Sequence, residues 1–88
     1  MAVYKIELSN HAERIIRRMA EREPALYQRV AQALDDLARD PFQGKPLKGE
    51  LKNRYSYRVG SYRILYLLQR QELVVLVIDI GHRRGIYR

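Results

Sequence analysis

Polar and apolar residues alternate over 3–8: Tyr4, Ile6 and Leu8 fall on one side, and Val3, Lys5 and Glu7 on the other. That is the two-residue period of a strand. Asn10 then stands as a helix N-cap, with Glu13 three residues on as a variant of the capping box. Ala12, Ile15, Ile16 and Met19 recur at helical spacing and predict one apolar stripe on a helix running to about Arg22. Pro24 suits the first turn of a second helix, whose stripe is Leu26, Val30, Ala33, Leu34 and Leu37 and which Pro41 stops. So short a break predicts an antiparallel helical hairpin. A basic loop follows over 40–53, with Pro41, Gly44, Pro46 and Gly49. Three strand-like runs come after it, at 54–59, 62–68 and 73–80. Gly60-Ser61 suits a two-residue type II′ turn between the first two runs, and the polar segment 69–72 separates the last two. The run LVVLVIDI is apolar on both parities up to Asp79, which predicts a central strand. The expected fold is α+β, β-α-α-β-β-β. The last three strands form an antiparallel meander and the first lies beside the fourth. The sheet is thus four-stranded and largely antiparallel, with the helical hairpin on one face.

Composition narrows this picture. At 88 residues the chain is one domain, 1–88, with a single modest core. It has no Cys, hence no disulfide framework and no Cys-based zinc site, and only two His. No apolar run is long enough to span a membrane, and the opening residues lack signal-peptide architecture, so a cytoplasmic protein is expected. The net charge is +7, from 17 basic and 10 acidic residues, and it is unevenly placed. Residues 1–44 carry seven of each sign, whereas 45–88 carry ten basic and three acidic residues. Such an excess points to a polyanionic partner, with nucleic acid first; a protein that is merely basic is the plain alternative.

The hairpin register localises the charge. With Gly60 and Ser61 as the turn, Arg58 faces Arg63 on the same side of the sheet. Like charges so opposed destabilise a sheet unless an anion lies between them. If Leu68 faces Leu73 in the next hairpin, Arg63 faces Ile78 and Ser61 faces Ile80, and the segment 81–84 leaves the sheet beside the arginine pair. Arg58, Arg63 and Arg83 then form a candidate anion site, with two solvated arginines, one of them on Asp79, as the bland reading. His82 among three arginines is placed for acid–base chemistry, or is an inert surface histidine. Tyr87 is placed to stack on a base or donate a hydrogen bond, or is a frayed end. Lys45, Lys48, Lys52 and Arg54 read as a phosphate-contacting loop or an ordinary solvated one, and His11 is given no role. Arginine forks bind phosphate bidentately. RNA cleavage by attack of a 2′-hydroxyl on its own phosphate needs a base, an acid and cations around the developing charge.

The stretch PLKGELKNRYSYRVGSYRILY, followed after an apolar strand by GHRRGIYR, resembles the RelE branch of the RelE/ParE toxin superfamily. The resemblance covers nearly the whole chain. It implies the toxin of a type II toxin–antitoxin pair that enters the A site of the 70S ribosome, against 16S rRNA, and cuts mRNA there. The cut is made without metal or other cofactor, leaving a 2′,3′-cyclic phosphate. It implies a RelB-like antitoxin that wraps the toxin, and contact with operator DNA only through that complex. Arg63 and Arg83 match the family's phosphate and transition-state contacts, and Tyr87 matches the tyrosine that orients the nucleotide. Arg84 belongs to the same basic ending. Some members carry two lysines before the turn; those places hold Ser56 and Arg58, and His82 is the candidate to take over proton transfer. The same superfamily also implies a second reading, a ParE-like inhibitor of DNA gyrase without nuclease chemistry; a non-catalytic RNA-binding module is a third.

Overall fold

In the computed structural model, residues 3–49 and 53–82 are described. Strand β1 (Lys5–Leu8) leads into helices α1 (Asn10–Arg22) and α2 (Pro24–Arg39); β2 (Lys45–Pro46), β3 (Arg54–Val59), β4 (Tyr62–Gln69) and β5 (Val74–His82) follow. The sheet order is β1-β5-β4-β3-β2, with β1 parallel to β5 and the other pairs antiparallel. The expected meander, the helical hairpin and the place of β1 beside a central β5 all hold.

The sheet has five strands rather than four. The extra one is a two-residue edge within the basic loop, pairing Lys45 with Ser56 and Pro46 with Tyr55. It carries no alternation that could have announced it, and its proline suits an outer edge, where no ladder donor is needed. The α1 cap also differs. Ser9 is the N-cap, its Oγ accepting from Ala12 N–H at 3.0 Å, and Asn10 is already helical. Glu13 therefore pairs forward with Arg17 at 2.9 Å instead of closing a capping box.

The register of the last hairpin differs most. Its loop is 70–73, closed by Gln69 opposite Val74, so Leu68 faces Val75. Leu73, apolar and strand-like in sequence, is spent in the turn at φ 57°. A bulge then leaves Ile78 without a partner between Val77 and Asp79, so Arg63 faces Gly81 and Tyr62 faces His82. The strand outlasts its expected end at Ile80 by two residues.

Both helices pack on one face of the sheet. Ala12, Met19, Val30, Ala33 and Leu37 meet Val59, Ile64, Tyr66, Leu68, Val75, Val77 and Ile80 there. Tyr66 is fully buried, stacked on Tyr55 at 5.5 Å, and its hydroxyl donates to the Pro41 carbonyl at 2.6 Å. Gly44 is required beneath it, because a Cβ at that position would collide with the Tyr66 hydroxyl. Burial raises the Tyr66 pKa well above the usual tyrosine value, whereas the unfolded chain ionises near pH 10. Between those two values the unfolded state has lost the proton and the native state still holds it, so stability falls as pH rises above about 10. Tyr66→Phe is expected to flatten this alkaline slope in denaturation midpoints measured across pH, at a neutral-pH cost of about 1–3 kcal/mol for the unpaired Pro41 carbonyl.

Candidate nucleic-acid interface

The face of the sheet away from the helices carries the cations. Along β3, Arg54, Ser56 and Arg58 alternate with the core-facing Tyr55, Tyr57 and Val59. The turn beyond them has Gly60 at φ 60°, while Ser61 is not in the left-handed region, as a type II′ turn requires. This turn fixes Val59 opposite Tyr62 and Arg58 opposite Arg63, as the sequence predicts. In such a hairpin the Arg58–Arg63 pair is the closer, non-hydrogen-bonded kind, with Cα atoms about 4.5 Å apart.

The two guanidinium groups are held differently. Arg58 is exposed, and its Nε donates to the Gly60 carbonyl at 3.2 Å. Arg63 is half-buried and donates from Nη1 to Ser56 Oγ at 3.2 Å. Ser56 is itself buried, an anchor that sequence reading gave no role, although its parity with Arg58 places it on this face. Lys45 lies opposite Ser56 on β2 and is exposed, as is Lys48; Arg54 opens β3, half-buried, opposite Leu67. In the row of Arg58 and Arg63 the third position is Gly81, where a Cβ would meet nothing within 4 Å. Among the described residues, then, no side chain fills the end of this row beside the two cations.

Asp79, the carboxylate that the plain alternative to an anion site set against an arginine, is engaged elsewhere. It accepts from Ile80 N–H at 2.8 Å and pairs with His11 Nε2 at 3.0 Å. His11 thus has a role that sequence reading did not give it. The contact depends on the bulge at Ile78, which no residue pattern signals.

His82 departs from expectation. It lies opposite Tyr62, on the helix-covered side of the sheet, with its ring edge-on to Tyr62 at a centroid distance of 5.7 Å. It therefore does not stand among Arg58 and Arg63, because neighbouring residues of a strand project to opposite faces. The added register shift is the cause. Lys52, Arg83, Arg84 and Tyr87 lie outside the described residues.

A strand parallel to β5, a helical hairpin and an antiparallel meander with paired arginines on the face away from the helices define a small basic α+β domain of the kind the sequence resemblance implies. The model of the ParE toxin of type II toxin–antitoxin systems matches residues 6–87. The toxin RelG of Mycobacterium tuberculosis is 35% identical over 86 residues, covering 97% of each chain. The RelE toxin of the same organism is 30% identical over 97% of this chain and 87% of its own. The toxin in the crystal structure of the RelBE2 toxin–antitoxin complex from Mycobacterium tuberculosis superposes with a TM-score of 0.80 at 31% identity, over 93% of this chain and 100% of that one. The chain belongs to the RelE/ParE family of toxins of type II toxin–antitoxin systems.

Proposed function

We propose that this toxin is a ribosome-dependent endoribonuclease that cuts mRNA in the A site and so arrests translation, and that a RelB-like antitoxin restrains it. The observation that carries this reading is the Arg58–Arg63 pair, facing across a two-residue turn on the bare side of the sheet, while Asp79 is engaged by His11. Two forks so placed hold one phosphate from two directions. As the 2′-oxygen bonds to phosphorus and the bond to the 5′-oxygen breaks, the non-bridging oxygens gain charge, and the two guanidinium groups serve to stabilise it. The 2′-hydroxyl proton leaves to a base, and a proton is returned to the departing 5′-oxygen. Arginine stays protonated and serves neither proton transfer. Lys45, Lys48, Lys52 and Arg54 serve as contacts to neighbouring phosphates together with Arg84, and Arg83 and Tyr87 complete the site by resemblance.

Primer extension on translated mRNA, with and without induction of the protein, tests the reading: new 5′ ends at codon positions are expected, and unchanged transcripts during growth arrest would sink it. The match to the ParE model supports a second reading, inhibition of gyrase, which predicts loss of supercoiling by purified gyrase in the presence of the toxin. His82 offers a finer test. Its place beside Tyr62 predicts that His82→Gln weakens ribosome binding while cleavage at saturation stays within a few-fold of wild type. A slowed saturated rate with unchanged binding would return His82 to proton transfer.

A further inference from the structure

Cations gather on the helix side of the same hairpin turn as well. Arg29 of α2 lays its guanidinium against Gly60. A separate cleft of about 400 Å3 opens between α1 and the start of β4, with Arg14 and Arg18 on its wall and Ile15, Met19 and Tyr62 beneath.

The described residues do not cancel the charge of this cleft. On α1, Glu13 is taken by Arg17, and His11, which lines the cleft, takes Asp79 of β5. Arg14 and Arg18 make no hydrogen bond or ion pair with any described residue. They stand four residues apart, about 6 Å along the helix, on one face. Glu23 is the acid at the far rim and disfavours an anion there, so the cleft is electropositive toward the turn. Its floor is apolar and aromatic, and the His82 ring steadies Tyr62 from the side. Two guanidinium groups uncommitted among the described residues, above an aromatic floor, match a nucleotide, with phosphate on the wall and base on the ring. Tyr62 directly precedes Arg63 on β4, so a strand passing round this end of the sheet meets the arginine pair on one face and the cleft on the other.

We propose that the α1 cleft binds single-stranded RNA, namely the part of the chain flanking the phosphate held by Arg58 and Arg63. Arg14 and Arg18 take phosphates and Tyr62 takes a base. The identity of that chain as substrate rests on the nuclease reading; the binding itself does not. The test is fluorescence anisotropy of an end-labelled single-stranded RNA oligonucleotide, titrated with the full-length toxin over a range of salt. Both arginines are exposed, so Arg14→Gln with Arg18→Gln is expected to keep the fold, as circular dichroism would check. The double variant should lose about tenfold or more in affinity at low salt. Its slope of log K against log salt should shrink by about 1.4, at about 0.7 for each phosphate contact. Arg63→Ala, on the other face, should shrink it by about 0.7 only. Unchanged affinity and slope in the double variant overturn the inference, and so does failure of the wild type to bind the RNA at all. If the double variant binds RNA normally but loses a poly-glutamate peptide that the wild type holds, the cleft is a protein-docking site and the inference fails. A toxin that shows the slope change but cuts no mRNA on ribosomes keeps the cleft and loses the nuclease reading.

Discussion

Arg63→Ala is expected to lower the rate of mRNA cleavage on the ribosome by about a hundred- to a thousandfold, the usual loss when one preorganised donor to a developing negative charge is removed. The fold should survive. Arg63 projects from the uncovered face of β4, and the core is formed by the opposite parity, Ile64, Tyr66 and Leu68. Removal of the guanidinium leaves the Ser56 hydroxyl without its donor, a local loss, and relieves the opposition of Arg58. The two effects on stability oppose each other, so the thermal midpoint should move little while activity collapses. Single-turnover cleavage on programmed ribosomes, run beside a thermal melt, separates them. Wild-type cleavage by the variant would remove Arg63 from the site. Arg63→Lys should recover only part of the rate, because an ammonium is a point charge and not a planar fork.

Tyr66→Ala is expected to be the most damaging change to stability. It deletes a fully buried aromatic side chain, its stack on Tyr55 and its hydrogen bond to Pro41. Emptying such a position costs about 3–5 kcal/mol, a large part of the roughly 5–15 kcal/mol by which a domain is stable. The damage should reach the bare face, because the Pro41 carbonyl and Gly44, both held against Tyr66, lead directly into β2 and Lys45. Denaturant unfolding should show a lower midpoint. Hydrogen exchange should show the segment 41–46 losing protection ahead of β4 and β5. A midpoint within about 1 kcal/mol of wild type would mean that the cavity collapses without loss.

Much of this architecture was legible in the residues because it depends on local periods. The Tyr4, Ile6 and Leu8 alternation, the two helical stripes and the Gly60-Ser61 turn each act within a few positions, and the facing of Arg58 and Arg63 follows from that turn alone. Ser9 took the cap from Asn10 because a hydroxyl one residue earlier also reaches Ala12 N–H, a choice between neighbours that spacing does not resolve. The second hairpin was harder to read. Leu73 looks like strand but takes a left-handed turn position, and Ile78 looks paired but forms the bulge.

By itself, then, the sequence determined the order of elements, the buried faces, the family resemblance and the arginine pair, because each is written in near neighbours. Only the tertiary structure decided which distant residues meet. It gave Asp79 to His11, moved His82 to the Tyr62 side and brought Arg14, Arg18 and Arg29 from a charge-neutral half of the chain to the basic end of the sheet. The physical reason is that strand register is cumulative. Moving the turn by one residue shifts the pairing by two positions and keeps each side chain on its face; the bulge at Ile78 adds one more and turns every later side chain of β5 to the other face.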